Sequence, residues 1–338
     1  MNHLPYFKPK SLVYTGKHED IKTVIHYYAY SEKTFNQQDG FFKVPKDGEK
    51  SYIQVCGLTD TKTLNQLKDT FHIDPLVMED ILNVNQRIKI EYFESFIFAT
   101  LSIKYLENDH VKSDYLSIYV TDQTVISFHE TTPVYLNSLV MLMEEYMELK
   151  THGSDMLFYH ILDIITDHHL EVFDYLEAKT TAFEEEVLES KTLEQESFYL
   201  LRKWMLQLHG IVSPMFEQTD KMIQKKLPLL TEATNDYFND LKDHLKRLDN
   251  KLFQSRDMMR QLLDLHMNNQ STKMNRIMST LTLFSAIFIP LSFLTGFFGM
   301  NFHYFEALDF QYAIAVFIGC CILIAGGMLL FFKRRRWF

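Results

Sequence analysis

The sequence of 338 residues is poor in cysteine and has no excess of basic residues. Its three cysteines are Cys56, Cys320 and Cys321, and no CxxC pair occurs. This spacing indicates neither a disulfide framework nor a thiolate metal site. Lysine and arginine number 34 against 44 acidic residues, so the formal net charge is −10. Because a nucleic-acid-binding surface needs basic residues to contact phosphates, we expect no nucleic-acid partner.

Motifs of common enzyme classes are also missing from the sequence. It contains no GxxxxGK[ST], HExxH or GxSxG pattern, which disfavours ATP-driven pumping and hydrolytic catalysis by this chain. We therefore expect a protein that is not an enzyme and needs no organic cofactor. The N-terminal segment MNHLPYFKPK lacks the apolar core of a signal peptide, so we expect the N-terminal part to stay in the cytoplasm.

Two long uncharged runs dominate the C-terminal part. Residues 277–305 and 310–332 contain no Asp, Glu, Lys or Arg, and each run exceeds the roughly 20 residues that a membrane helix needs. Lys273 and Arg276 precede the first run, and the basic residues 333–336 follow the second. The pattern predicts two membrane spans with basic flanks.

The segment between the runs contains Glu306 and Asp309 and no basic residue. By the positive-inside rule, this loop faces outward and both chain ends are cytoplasmic. We expect a multi-pass protein of the inner or plasma membrane, with the lipid bilayer as one of its partners.

The preceding part of the chain shows two different periodicities. Residues 1–150 indicate a mixed α/β domain, with strand patterns at 51–58, 88–107 and 114–130, a turn at 121–124, and helical spacing at 64–83. Beyond Thr132 the apolar spacing is helical. It predicts long helices at 156–189 and at 193–224, the latter bent or interrupted near Pro214.

A third long helix begins near Thr231 and continues into the first membrane span. If it is unbroken to Phe298, it is about 100 Å long at 1.5 Å per residue. A helix of that length must pack against neighbours or against copies of itself. The helix predicted at 156–189 carries acidic and histidine side chains, which we interpret as a solvated acidic surface without an assigned site: Asp163, Asp167, Glu171, Asp174, His160, His168 and His169.

One side of the first span is not typical of a lipid-facing helix. Small, polar and a few apolar residues recur there at steps of three or four: Asn275, Met278, Thr282, Ser285, Ile289, Ser292, Gly296 and Gly299. Such a face serves either as a close helix–helix interface or as the lining of a pore formed by several copies. The sequence pattern leaves both alternatives open. The second span has no ionisable residue in its core and is interpreted as the outer, lipid-facing helix.

Gly299-Met300-Asn301 at the end of the first span resembles the GMN signature of the CorA family of divalent cation channels. The surrounding residues 290–302 (PLSFLTGFFGMNF) and the cytoplasmic residues 74–94 are also similar to that family. Two positions differ: Phe298 stands where Tyr is typical, and NFHYFEAL replaces the usual MPEL-like segment. The resemblance implies an α/β cytoplasmic domain, long helices and two C-terminal transmembrane helices, assembled as a homopentameric funnel around a central pore.

The resemblance also implies roles for individual residues. Gly299, Met300 and Asn301 form the selectivity filter, where neutral oxygens accept hydrogen bonds from the waters of a hydrated dication. Glu306 and Asp309 attract cations at the pore mouth. The pore lining follows the face described above, with Leu281 added to it. Met278, Leu281 and Ile289 form an apolar constriction, and Asn275 a polar ring at the cytoplasmic entrance. Mg²⁺ bound between subunits at Asp80 and Asp240, with Glu79 as a helper, keeps the pore closed.

These features lead to a functional hypothesis with two alternatives. The leading hypothesis is a channel for Mg²⁺ influx that is gated by cytosolic Mg²⁺ and also passes Co²⁺ or Ni²⁺. The first alternative is a Zn²⁺ transporter of the same family, with or without proton coupling. The second is a membrane-anchored coiled-coil scaffold that transports nothing.

The expected domain organisation follows the chain from the N-terminus. It comprises a cytoplasmic α/β domain at 1–150, a long-helix stalk at 151–274, the pore helix at 275–302, an extracytoplasmic loop at 303–309, a second transmembrane helix at 310–332 and a basic cytoplasmic tail at 333–338.

Overall fold

The computed structural model describes residues 13–84, 86–189, 194–225, 227–300 and 311–335. The chain forms two compact units. The first comprises Met1–Leu188 and Thr192–Arg260, and the second comprises Glu189–Lys191 and Gln261–Phe338. One helix, α7 (Glu232–Phe298), contributes residues to both units.

A seven-stranded sheet is the centre of the first unit. Its strands are β1 (Val24–Tyr30), β2 (Phe35–Asp39), β3 (Lys50–Cys56), β4 (Lys89–Tyr92), β5 (Ile97–Glu107), β6 (His110–Val120) and β7 (Thr124–His129). Their order across the sheet is β2-β1-β3-β7-β6-β5-β4, which places β2 and β4 at the two edges. Strands β3 and β7 are parallel, and the other neighbouring strands are antiparallel.

Most of this sheet was predictable from its residue pattern. The strand pattern at 51–58 corresponds to β3, and the turn at 121–124 joins β6 and β7 in an antiparallel hairpin. Strands β1 and β2 are not among the predicted strands. The sequence of β2, FNQQD, is polar and largely exposed at its edge position, so it carries no alternation of buried and exposed residues.

Two short helices cover one face of the sheet. These are α1 (Thr61–Thr70) and α2 (Pro75–Leu82). Asp74 is the N-cap of α2, and its carboxylate accepts a hydrogen bond from the Leu76 amide at 2.8 Å. Proline at the first helical position suits this start because it has no N–H to leave unpaired. Apolar residues of both helices form one core with the sheet: Leu64, Leu67, Val77, Met78, Ile81, Ile53 and Phe128.

The remaining helices of the first unit follow β7. A short 3₁₀ turn (Val134–Leu136) precedes α3 (Asn137–Glu145), α4 (Met147–Thr151), α5 (Ser154–Leu188) and α6 (Gln195–Gln224). The predicted long helices are confirmed, and α6 is helical through Pro214 rather than interrupted there. The prediction of one helix from near Thr231 to Phe298 is also confirmed, because α7 has 67 residues.

A buried carboxylate joins the beginnings of α5 and α7. Asp155 is 1% exposed, and its Oδ2 accepts hydrogen bonds from the Thr231 amide at 2.8 Å and from the Thr234 hydroxyl at 2.6 Å. Phe158 and Phe238 pack one turn further along, with ring centroids 6.1 Å apart. Hydrogen bonds to a buried charge and aromatic packing therefore hold these two helices together.

The second unit contains the end of α7 and the helix α8 (Ala313–Arg334). Both helices are long and apolar enough to cross a membrane, with mean hydropathies of 2.0 and 2.7 over their most apolar windows. The Phe298 ring of α7 contacts the Phe317 ring of α8, with centroids 5.3 Å apart. The two predicted C-terminal apolar helices are thus confirmed.

Candidate cation pathway

The final part of α7 has one exposed side and one partly covered side. All the predicted pore-lining residues are exposed in the single chain: Asn275, Met278, Leu281, Thr282, Ser285, Ile289, Ser292 and Gly296. The less exposed residues are Ser279, Leu283, Ala286, Ile287, Pro290, Leu291 and Leu294. At about 100° per residue, the two sets lie on roughly opposite sides of the helix.

The apolar residues of the predicted pore face are exposed as well as the polar ones. Leu281 and Ile289 are each 67% exposed, and Met278 is 57% exposed. Thr282 and Ser285 on the same side place hydroxyl groups among them. The arrangement suits either a close contact between helices or a pore lining, since both need this side to be free within one chain.

The end of α7 is formed by a tight turn at Gly299. Its amide donates a hydrogen bond to the Thr295 carbonyl at 3.0 Å, and the Met300 amide donates to the Phe297 carbonyl at 3.3 Å. A Cβ atom added to Gly299 would lie 3.0 Å from the Thr295 carbonyl oxygen, closer than most real Cβ contacts. Glycine at the start of the GMN motif therefore allows the backbone to close the helix without a steric conflict.

The aromatic residue before this motif is a packing residue. The contact of Phe298 with Phe317 uses the faces and edges of two rings. This contact needs no hydroxyl group, so the replacement of the family's usual tyrosine by phenylalanine is compatible with it. Asn301, Glu306 and Asp309, the remaining predicted filter and pore-mouth residues, lie outside the described residues.

The predicted regulatory acid Asp80 already has a cationic partner in its own chain. Its Oδ2 lies 2.6 Å from the ammonium group of Lys89, and its Oδ1 accepts a hydrogen bond from Gln86 Nε2 at 2.7 Å. The same ammonium lies 2.7 Å from the carboxylate of Glu91. Lys89 therefore occupies the place between two carboxylates that a metal cation would take.

The other two predicted regulatory acids are more accessible. The Asp240 side chain is 65% exposed, and its carboxylate lies 3.7 Å from His244 Nε2. Glu79 is exposed on α2. Neither acid forms a cluster of three or more metal-ligating side chains with its neighbours in the described part of the chain. An ion bound there would thus need further ligands, which water or a second subunit could supply.

The acidic and histidine residues of α5 are only partly solvated. Burial, followed by the repulsion of Asp167, raises the pKa of Asp163 to about 6. His169 is completely buried, so its interpretation as part of a solvated surface is wrong. Burial lowers the pKa of His169 to about 3, which keeps the ring neutral at physiological pH. The structure thus separates a core histidine from the half-buried His160 and His168 on the same helix.

Lys104 is a polar residue whose position sequence patterns did not identify. It lies on β5 and is 4% exposed, and its ammonium group donates hydrogen bonds to Ser113 at 2.7 Å and to Gln207 at 3.1 Å. No described acidic residue forms an ion pair with it. The available signal was a lysine within a mostly apolar strand, where alternation alone does not show which face is covered.

Comparison with known proteins identifies a transporter family over most of the chain. The family described as "CorA-like Mg2+ transporter protein" matches residues 51–334. The chain is 30% identical to the cobalt/magnesium transport protein CorA of Thermotoga maritima, over 97% of this chain and 96% of that protein. It is 22% identical to the zinc transport protein ZntB of Yersinia pseudotuberculosis, over 92% of this chain and 95% of that protein.

A solved structure has the same fold. The complete CorA magnesium transporter from Methanocaldococcus jannaschii matches with a TM-score of 0.80 and 21% identity, covering 94% of this chain and 100% of that one. It has the arrangement of a soluble α/β domain, long helices and two C-terminal apolar helices found here. With its two candidate membrane spans and a family match over most of its length, the chain belongs to the CorA family of divalent metal transporters.

Proposed function

We propose that this protein is a homopentameric channel for Mg²⁺ influx, whose pore is lined by the exposed polar side of α7. The observation that carries the proposal is the division of α7 into two sides. The helix is apolar enough to span a membrane, yet one side presents Asn275, Thr282, Ser285 and Ser292 without cover in the single chain. Polar groups within a bilayer need partners, and a shared water-filled axis provides them.

The filter of this channel is the GMN motif. Asn301 contributes a neutral amide oxygen from each subunit, and the helix end at Gly299 brings backbone carbonyls, which carry partial negative charge, towards the axis. Mg²⁺ loses its waters reluctantly, so a ring of neutral oxygens can bind the hydrated ion and release it again. Glu306 and Asp309 add a diffuse attraction at the mouth, in the extracytoplasmic loop of residues 303–309.

We further propose that the channel is selective for Mg²⁺ over Zn²⁺. The identity to a cobalt/magnesium transporter, 30%, exceeds that to a zinc transporter, 22%. This difference favours Mg²⁺ with Co²⁺ or Ni²⁺ as secondary substrates. Zn²⁺ transport is the second candidate function, because the chain covers nearly the full length of the zinc relative as well.

Regulation by cytosolic Mg²⁺ would act through Asp80, Asp240 and Glu79 at subunit contacts. Asp240 suits this role because its carboxylate is largely exposed. Asp80 suits it only if Mg²⁺ displaces Lys89, which the structure places at hydrogen-bond distance. We propose that Lys89 holds Asp80 while Mg²⁺ is scarce. Both termini are cytoplasmic in this arrangement, and the pore helix spans residues 275–302.

Uptake of Mg²⁺ into proteoliposomes tests the proposed function. The wild-type protein should load Mg²⁺ faster than Zn²⁺, and Asn301→Ala should reduce Mg²⁺ uptake at least tenfold. Wild-type vesicles that take up Zn²⁺ but no Mg²⁺ would establish the second candidate instead. Vesicles that take up neither ion would refute both.

A further inference from the structure

A cavity of about 700 Å³ lies between the edge strand β4 and the helix α6. The segment 86–91 forms one wall, and Gly210, Pro214, Gln218 and Lys221 form the other, with Ser102 also contributing. Its size falls within the range of small-molecule sites in proteins. Lys89 on its wall also has a part in the proposed Mg²⁺ regulation, whereas Arg87 and the residues of α6 have none.

Backbone groups of both walls are available to a ligand. Among the described strands β4 is an edge strand that pairs with β5, so alternate residues of β4 direct their N–H and C=O groups away from the sheet. All the residues of β4 from Lys89 to Glu91 line the cavity. Pro214 has no N–H, so the Gly210 carbonyl lacks the donor that a helix normally supplies. A Cβ atom added to Gly210 would meet nothing within 4 Å, which shows that this position opens into free space.

Basic residues outnumber acidic ones in the lining of the cavity, in a protein of net charge −10. Arg87, Lys89 and Lys221 line it, with Glu91 as the acidic residue. Lys89 is neutralised by Asp80 and Glu91, and Lys221 lies 3.7 Å from Glu217 in an exposed ion pair. The exposed guanidinium of Arg87, in contrast, has no acidic partner in the described part of the chain. Arginine of this kind binds phosphate and carboxylate groups through two parallel hydrogen bonds.

Lys104, which forms no ion pair with an acidic residue in the described segments, lies next to the cavity lining. Lys104 is two residues from Ser102 on β5, so both side chains project from the same face of the strand. Gln207, which accepts a hydrogen bond from Lys104, lies one helical turn before Gly210. Burial and the nearby Lys203 lower the pKa of Lys104, as expected for a buried ammonium without a carboxylate. A buried charge of this kind is costly unless something compensates it.

We infer that the cavity between β4 and α6 binds a small phosphate-bearing anion, with Arg87 as its main contact. The phosphate pairs with the guanidinium and accepts hydrogen bonds from the outward amides of the edge strand. Lys221 approaches from α6, and Lys104 supplies a long-range positive potential from behind the wall. The free carbonyl of Gly210 accepts a hydrogen bond from a hydroxyl or amino group elsewhere on the ligand.

Calorimetric titration of the full-length protein with inorganic pyrophosphate in metal-free buffer tests this inference. We expect one saturable site per chain and at least tenfold weaker binding in Arg87→Gln. The matched control is Arg202→Gln, which removes an exposed arginine from α6 outside the cavity, and its affinity should stay within twofold of the wild type.

A second variant tests the shape of the site without changing its charge. Gly210→Leu should also weaken pyrophosphate binding at least tenfold, because the new side chain enters the cavity. It should not lower the melting temperature, since leucine has a higher helix propensity than glycine. The inference is overturned if the wild type shows no saturable binding, if Arg202→Gln weakens binding as much as Arg87→Gln, or if the dicarboxylate succinate binds as tightly as pyrophosphate.

Discussion

The ammonium group of Lys89 lies 2.6 Å from the carboxylate of Asp80 and 2.7 Å from that of Glu91. All three side chains are at least partly shielded from water, with exposed fractions of 13%, 27% and 42%. A lysine held between two carboxylates competes with any dication for the same oxygen atoms. In the proposed regulation by cytosolic Mg²⁺, this competition would make Lys89 a residue that sets the Mg²⁺ concentration needed to close the pore.

Replacing Lys89 by methionine should therefore strengthen the response to Mg²⁺. In Lys89→Met, Asp80 and Glu91 lose their shared cation while the apolar part of the side chain is retained. We expect the Mg²⁺ concentration that half-inhibits uptake to fall by about tenfold, a free-energy change of about 1.4 kcal/mol. Inhibition curves in proteoliposomes with buffered internal Mg²⁺ measure it. Lys33→Met, at an exposed turn, is the control, and an unchanged midpoint in Lys89→Met would contradict the competition.

Substitution of Asp240 should have the opposite effect on regulation. Its side chain is 65% exposed and 3.7 Å from His244, so Asp240→Asn removes a charge at little cost to folding. We expect uptake to continue at internal Mg²⁺ concentrations several-fold above those that close the wild-type channel. Asp236→Asn, at another exposed position one turn earlier on α7, serves as the matched control. Equal behaviour of the two variants would exclude Asp240 as a specific sensor.

The buried carboxylate of Asp155 should be important for stability. It accepts hydrogen bonds from the Thr231 amide, the Thr231 hydroxyl and the Thr234 hydroxyl at 2.6–2.9 Å. Asp155→Ala leaves these donors buried without an acceptor, which should lower the free energy of unfolding by about 3 kcal/mol. Thr234→Val should cost about 1 kcal/mol because it removes one donor. Thermal unfolding of the purified protein measures both, and equal stabilities of wild type and Asp155→Ala would refute the role.

Buried histidines should make the first unit sensitive to acid. Burial lowers the pKa of His169 to about 3, whereas an unfolded histidine titrates near 6.5. Between these values the unfolded state binds more protons, so the folded state loses stability as the pH falls below about 6.5. At pH 5 the loss is about 2 kcal/mol for this residue. His129, with a pKa of about 3, acts in the same direction.

The contribution of His169 can be isolated by substitution. Asp114 and Asp163, whose pKa values burial raises to about 6, bind protons in the folded state and oppose the effect. Because both the wild type and His169→Leu contain Asp114 and Asp163, the contributions of these two residues cancel when the two proteins are compared. The difference in unfolding free energy between pH 7.5 and pH 5 should therefore be about 2 kcal/mol smaller in His169→Leu, as chemical denaturation can measure. An unchanged difference would show that His169 does not titrate as proposed.

The strongly periodic parts of the chain were the predictable ones. The helix from near Thr231 to Phe298 was correctly predicted because it contains no glycine until its last turns, and proline occurs in it only at Pro290. The hairpin of β6 and β7 was predictable from its β-branched residues and its turn. In contrast, the polar edge strand β2 has no apolar alternation, and only pairing with β1 makes it a strand.

Side-chain pairing and burial could not be predicted from sequence patterns, because they depend on tertiary contacts. The sequence identifies Asp80 as an acid but not its pairing with Lys89, which depends on the position of α2 beside β4. Likewise, helical spacing does not distinguish buried His169 from exposed residues, since that depends on the strands packed beneath α5. The predicted pore face of α7 is exposed, as a shared surface requires, and its assignment to a pore stays a prediction.

Mg²⁺ flux through variants on two sides of α7 tests the central claim most directly. Ser285→Leu places an apolar side chain on the predicted pore face, and Thr280→Leu makes a similar change about 140° away around the helix. In proteoliposomes with equal amounts of protein, Ser285→Leu should reduce uptake at least tenfold by excluding water from the pore, while Thr280→Leu retains uptake within twofold of the wild type. Equal uptake by the two variants would contradict a pore along this side of α7.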